Sequence, residues 1–124
     1  MATTHSATTR TAIADAVVDR LDVGGTGTLV FNTSGDVEVA TLTFSATAYG
    51  AAVAGVATAA AITSDSSATG GTIAKAVQTG VTNGAVINCS VTAVGGGGDI
   101  ELSSVVVAAL QTVSMSSLNY TASV

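Results

Sequence analysis

The chain has 124 residues and a mass of 11.9 kDa, which leaves room for one domain. Its charged residues are three Lys or Arg and eight Asp or Glu, for a net charge of −5, and it has one Cys, one His and no Pro or Trp. These counts exclude a disulfide scaffold, a Cys/His zinc site and the basic surface that binds nucleic acid, so no nucleic-acid partner is expected.

Small side chains dominate the composition, because Ala, Thr, Val, Gly and Ser make up 88 of the 124 residues. The hydrophobic fraction of 48% and the mean hydropathy of +0.62 still predict a folded chain rather than a disordered one. Its core must be thin, since burying an Ala methyl contributes only about 0.8 kcal/mol and a Leu or Phe side chain roughly 1.5–3 kcal/mol. Neighbouring subunits would supply the missing burial, so the composition favours a homo-oligomer or other assembly subunit over a free-standing enzyme.

The N-terminal part of the chain is predicted to be an arm followed by a helix. Residues 1–8 are polar and are expected to form a flexible arm, while residues 9–124 form a single β-rich domain. The apolar spacing predicts an amphipathic helix over residues 9–23, which begins at a threonine cap and ends at Gly24 and Gly25.

The two faces of this predicted helix differ in chemistry. One face is expected to carry the apolar residues Ile13, Ala16, Val17 and Leu21. The opposite face is expected to carry the carboxylates Asp15, Asp19 and Asp22. Calcium requires six to eight oxygen ligands, usually from a loop, so these carboxylates are interpreted as a solvated or partner-facing acidic stripe rather than a metal site.

After the helix the apolar pattern changes to the period of two that is typical of strands. Residues 28–32 and 39–44 alternate around a turn at residues 34–36, which predicts a β-hairpin. Further strands are expected at residues 56–64 and 72–79, paired with each other, and at residues 85–92, 99–102 and 112–121. The prediction is a mostly β protein: a single β-sandwich or jelly-roll-like domain of about seven short strands preceded by one N-terminal amphipathic helix.

No segment of the sequence is typical of a membrane span or a secretory signal. Residues 39–64 form an uncharged stretch of 26 residues, but they are mainly Thr, Ala and Gly rather than the Leu, Ile and Phe of real spans. The N-terminus has neither the charged nor the apolar region of a secretory signal. We therefore expect no membrane partner and synthesis in a reducing cytoplasm.

The sequence predicts no catalytic, cofactor-binding or metal-binding residue. His5 lies in the predicted arm, where it cannot be held beside a nucleophile. Cys89 has no neighbouring cation to lower its pKa, and the alternating segment around it predicts a small buried side chain. The glycine run at residues 24–27 follows a helix instead of preceding one, as a phosphate loop would, and the run at residues 95–98 is typical of a hairpin loop.

Seven short segments are distinctive: residues 10–15 (RTAIAD), 21–22 (LD), 27–29 (GTL), 39–44 (VATLTF), 55–65 (GVATAAAITSD), 98–104 (GDIELSS) and 112–114 (TVS). Together they resemble a set of small proteins encoded in the genomes of tailed bacteriophages. The similarity covers most of the chain from residue 10 onward. It implies a virion structural protein, and it assigns no catalytic or binding residue.

The resemblance, the thin core and the acidic charge together favour a non-enzymatic virion protein that decorates or cements the capsid by bridging neighbouring capsid subunits. Its partners would be the major capsid protein or other virion structural subunits, and it would be made in the host bacterial cytoplasm. Two alternatives stay open. One is a tail component, such as a tube, baseplate or fibre subunit, and the other is a glycan-binding β-sandwich for host attachment that uses Tyr49 and Tyr120.

Overall fold

The computed structural model describes residues 3–122, which form one helix followed by nine short strands. The elements are α1 (Ala7–Asp19), β1 (Thr28–Asn32), β2 (Glu38–Thr43), β3 (Val56–Thr58), β4 (Gly71–Thr72), β5 (Lys75–Gly80), β6 (Gly84–Ala93), β7 (Ile100–Leu102), β8 (Val106–Val107) and β9 (Asn119–Thr121). The predicted class, a mostly β domain with one N-terminal helix, is therefore confirmed. In the described part of the chain no helix has the length and apolar character needed to cross a membrane.

The helix begins two residues earlier than predicted and ends four residues earlier. Ser6 is its N-cap: its backbone is extended (φ −64°, ψ 160°), and its side-chain oxygen accepts from the backbone N–H of Thr9 at 3.2 Å. After Asp19 the chain tightens into successive turns, in which the N–H of Leu21 donates to the carbonyl of Val18. Of the predicted arm, residues 1 and 2 lie outside the described residues, residues 3–6 are exposed without regular structure, and Ala7 opens the helix.

The buried face of this segment is rotated from the predicted one. Ala14 and Val18 are the buried residues of α1, followed by Leu21 just beyond it, whereas Ala16 is exposed. Asp15 and Asp22 are half-buried, and only Asp19 of the three carboxylates is exposed. The prediction of a shared exposed stripe is therefore wrong, because two of the three carboxylates bind backbone groups of the following chain, as described below.

Five strands form the main sheet, in the order β2-β1-β5-β6-β7. The predicted hairpin is confirmed: β1 and β2 are antiparallel, with Leu29 opposite Leu42 and Phe31 opposite Ala40. All four of these side chains are completely buried, as the alternation of strand side chains predicts. The strand predicted at residues 85–92 is also present as β6, and β7 lies parallel to its end.

The predicted pairing of residues 56–64 with residues 72–79 is wrong. The first segment is a strand only over β3, which pairs antiparallel with β9, and the second contributes β5, which lies between β1 and β6. Only the last three residues of the strand predicted at 112–121 form β9. Side chains of Ala, Thr and Ser are too small to mark a buried face, so their alternation does not separate a strand from an irregular extended segment.

Alanine supplies much of the interior, as the composition suggests. Among the described residues, eight of the 22 buried hydrophobic residues are alanines, and the largest completely buried apolar side chains are Phe31, Leu21, Leu29 and Leu42. The best-buried part of the sheet is therefore the β1–β2 hairpin, and Leu21 after the helix and Ala48 belong to the same hydrophobic cluster.

Candidate functional site

A cleft of about 320 Å³ lies between β6 and the segment that contains β9. Ile87 and Cys89 of β6 line one side, and Leu118 and Tyr120 line the other. Gln78 of β5 also lines the cleft although its side chain is 98% buried, so its amide lies at the inner end. At this cleft the buried amide of Gln78 meets the half-buried thiol of Cys89.

Gln78 is positioned by strand register. It lies opposite Ile87 in the β5–β6 pair, and Cys89, two residues further along β6, projects from the same face of the sheet. The Gln78 amide therefore meets the Cys89 thiol diagonally, with its Nε2 3.7 Å from Sγ. On its other side the Gln78 Oε1 accepts from the Tyr49 hydroxyl at 2.6 Å.

Tyr49 is fixed from a different part of the chain. Its ring packs against Phe44 with centroids 5.8 Å apart, and its backbone pairs with Ala59 in an isolated bridge. Burial raises the pKa of the Tyr49 phenol well above its ordinary value of 10.0, and the hydrogen bond to Gln78 opposes that rise only in part. The phenol therefore stays protonated and acts as a donor at neutral pH.

The Cys89 thiol also stays protonated at neutral pH. Burial raises its pKa from the ordinary value of 9.0, the hydrogen bond from Gln78 opposes the rise, and the carboxylate of Asp99 adds to it. A protonated thiol is a weak nucleophile and a weak metal ligand. The three side chains Tyr49, Gln78 and Cys89 thus form a neutral hydrogen-bonded chain that ends at the cleft.

The predicted acidic stripe has a structural use. The carboxylate of Asp15 accepts from the backbone N–H of Ala52 at 2.8 Å, and that of Asp22 accepts from the backbone N–H of Ala48 at 2.9 Å. These two bonds attach the irregular segment after β2 to the helix and its exit. Within residues 3–122 no three His, Cys, Asp or Glu side chains converge on a point that would hold a metal ion, and His5 is exposed ahead of the helix.

Both glycine runs are turns whose backbone groups face their own chain. At Gly27 an added Cβ would lie 2.9 Å from the carbonyl oxygen of Thr79, so this glycine permits a close approach of two backbones. In the second run the N–H groups of Gly95 and Gly97 donate to the Glu101 carboxylate at 3.3 and 3.1 Å. A carboxylate already occupies the place that a phosphate would take.

Sequence reasoning missed Gln78, and it placed Tyr49 wrongly as an available aromatic platform. Tyr49 is only 3% exposed and Tyr120 is half-buried, so they do not present two open rings to a sugar. The signal for Gln78 was its position: it lies two residues from Ala76 and from Gly80, and all three belong to the buried face of β5.

No family model, no curated protein and no solved structure matches this chain.

Proposed function

We propose that this chain is a non-enzymatic structural protein of a tailed-bacteriophage virion, and that it decorates or cements the capsid by bridging neighbouring capsid subunits. The observation that carries the proposal is the distribution of apolar side chains. The interior is rich in alanine, whereas several larger apolar residues, among them Val53, Val94 and Leu110, are more than 70% exposed. Contacts with neighbouring subunits would bury such side chains, as is typical of assembly subunits.

The net negative charge supports a partner of opposite charge. Of the three cations in the chain, Lys75 forms an ion pair with Asp36, while most carboxylates have no cationic partner among the described residues. A net charge of −5 favours a partner surface that carries Lys and Arg. The partners we propose are the major capsid protein or other virion structural subunits, together with further copies of this chain.

The protonated Tyr49–Gln78–Cys89 chain also supports a structural role, because its groups satisfy one another in the interior instead of activating a nucleophile. The resemblance of seven segments to proteins of tailed bacteriophages supports the virion location. No contact in the fold favours a tail position over a capsid position, so the test of the proposal must separate the two.

The copy number of this chain in purified particles provides that test. Quantitative mass spectrometry against the major capsid protein should give hundreds of copies per particle, at a simple ratio to the capsid subunit. A few tens of copies or fewer would move the protein to the tail. Its absence from purified particles, together with its presence in the infected-cell lysate, would overturn the virion proposal itself.

A further inference from the structure

The turn between β5 and β6 contains an asparagine that is followed by a glycine, Asn83-Gly84. The other three asparagines of the chain, Asn32, Asn88 and Asn119, precede Thr, Cys and Tyr, and all three lie in strands. Gly84 has a φ of +67°, and a Cβ built on it would meet no atom within 4 Å. The backbone after Asn83 is therefore both unhindered and outside the regular pairing that holds the other three asparagines.

This dipeptide has a reaction of its own, in which the asparagine amide is lost. The backbone nitrogen of Gly84 gives up its proton and attacks Cγ of Asn83, so a new C–N bond forms, the C–NH2 bond breaks and ammonia leaves with that proton. Water then opens the cyclic imide at one of its two carbonyls, which yields either aspartate or isoaspartate. The net change exchanges the amide NH2 for the hydroxyl of water, and glycine favours it because no Cβ stands beside the attacking nitrogen.

The Asn83 amide also has a structural task, because it caps the end of the helix. Its Nδ2 donates to the backbone carbonyl of Arg20 at 2.9 Å, although the two residues are 63 positions apart in the sequence. Arg20 is the C-cap residue of α1, and no backbone N–H in the described part of the chain donates to its carbonyl. Carbonyls at the end of a helix lack intrahelical donors and carry partial negative charge, so this amide satisfies a group that the helix leaves open.

Backbone contacts hold the same turn against the helix exit. The N–H of Thr82 donates to the carbonyl of Val23 at 3.3 Å. At Gly80 an added Cβ would lie 2.8 Å from the carbonyl oxygen of Arg20, so two backbones meet here at close range. The capping amide of Asn83 therefore lies where the β5–β6 turn and the end of the helix are joined.

We propose that Asn83 is a modification site, where spontaneous deamidation releases the β5–β6 turn from the end of the helix. The carboxylate that forms has no N–H for the Arg20 carbonyl, and it brings negative charge to the negative end of the helix dipole. Isoaspartate also lengthens the backbone of the turn by one methylene group. Because ammonia has left, the cap does not re-form, and the change is one-way. This inference is independent of the proposed function, since it concerns the isolated chain.

The first test measures where the purified full chain loses amide groups during incubation at mildly alkaline pH. Peptide mapping by mass spectrometry, with a chromatographic separation of aspartate from isoaspartate, should show Asn83 converting about tenfold or more faster than each of the other asparagines. Gly84→Ala should slow the conversion by a similar factor. This variant strains the turn, and a loosened turn would speed the reaction, so a slower rate reports the Cβ itself. Conversion at Asn83 no faster than elsewhere, or unaffected by Gly84→Ala, would overturn the inference.

The second test asks whether the product releases the turn. In Asn83→Asp the Thr82 amide should lose about tenfold or more of its protection against hydrogen exchange, measured by NMR relative to the unfolded chain. The amide of Val91, which is bonded elsewhere in the main sheet, should keep its protection, which distinguishes local release from unfolding. Val81→Asp is the matched control: it adds the same charge to the same turn, at a valine that is 64% exposed, and leaves the capping amide in place. Unchanged protection of Thr82 in Asn83→Asp, or an equal loss in both variants, would show that the amide does not hold the turn and would overturn the proposed release.

These outcomes are separate from those of the proposed function. A chain that deamidates at Asn83 but is absent from particles would refute capsid decoration and leave the modification site standing. A chain present in hundreds of copies with a stable Asn83 would do the reverse.

Discussion

Replacing Tyr49 by phenylalanine deletes one hydroxyl from the interior and leaves the Gln78 Oε1 without its donor. The two atoms are 2.6 Å apart, and the side chains are 3% and 2% exposed, so water does not replace the lost partner without entering the core. Leaving a buried acceptor unsatisfied costs about 1–3 kcal/mol. For a chain of this length that cost lowers the melting temperature by roughly 3–5 °C for each kcal/mol.

The double variant makes this prediction specific to the hydrogen bond. Gln78→Met alone should also destabilise, because it leaves the Tyr49 hydroxyl without an acceptor at similar side-chain length. When both changes are combined, neither polar group remains to be satisfied, so the total loss should be smaller than the sum of the single losses by about 0.5–3 kcal/mol. Urea unfolding of the four proteins measures the free energies that enter this cycle.

Alkaline pH gives a second readout of the same buried phenol. The folded state holds the Tyr49 proton more tightly than the unfolded chain does, because burial raises the pKa above 10.0. The contribution of this group to stability is therefore fully present below pH 10 and is lost as the pH rises further. Tyr49→Phe should remove this part of the alkaline loss, while the Cys89 thiol contributes a similar loss that begins nearer pH 9, since its pKa is raised from 9.0.

Tyr120→Phe is the matched control for these measurements, because Tyr120 is half-buried and has no side-chain hydrogen bond among the described residues. It should change the free energy of unfolding by less than about 0.5 kcal/mol. Additive effects of the Tyr49 and Gln78 changes, or an equal loss in Tyr49→Phe and Tyr120→Phe, would refute the argument that the buried hydrogen bond stabilises the fold.

Three further predictions test other parts of the structure. The Cys89 thiol should react with a disulfide reagent at pH 8 at least tenfold more slowly in the folded protein than in urea, and equal rates would contradict its partial burial and raised pKa. Gly55→Ala should destabilise the fold by roughly 2–4 kcal/mol, because φ is +83° and the new Cβ would lie 2.9 Å from a helix side chain. Gly84→Ala is the control: its φ is +67° but nothing lies within 4 Å of the new Cβ, so it should destabilise by only about 1–2 kcal/mol. Equal losses of stability in thermal unfolding would exclude the clash at Gly55. Asp22→Ala should lower the free energy of unfolding by about 1–3 kcal/mol, because it leaves the backbone N–H of Ala48 unsatisfied, whereas Asp19→Ala should leave it nearly unchanged. Similar free energies for the two variants in urea unfolding would restore the acidic-stripe interpretation.

The parts of the fold that were predictable are those marked by large side chains. Leu29, Phe31 and Leu42 stand out against their smaller neighbours, so both the strands and their inward faces follow from the period of two. The helix was predicted for the same reason, but its face was wrong. Alanine occurs on both sides of the helix and gives no direction, and the hydrogen bonds that Asp15 and Asp22 accept from the backbone of a distant segment decide the rotation.

The pairings of the small-residue segments were not predictable, because their partners are distant in sequence and no side chain identifies them. β3 pairs with β9 more than 60 residues away, with register fixed by backbone bonds between Ala57 and Tyr120 and their neighbours. Gln78 was missed for a related reason. A glutamine in an alternating strand is normally assigned to the exposed face, and the hydrogen bonds with Tyr49 and Cys89 make its burial favourable.

The thin core expected from the composition is unevenly distributed across the main sheet. On the hairpin side Val39, Ala40 and Leu42 are completely buried and the edge strand is covered by the chain. On the other side Val91 is the only buried residue of β6, and Ile87 is half-buried beside the cleft. The missing burial therefore lies on the β6 side of the main sheet. Apolar cover supplied by a neighbouring subunit would therefore stabilise the β6 side of the main sheet more than the hairpin side.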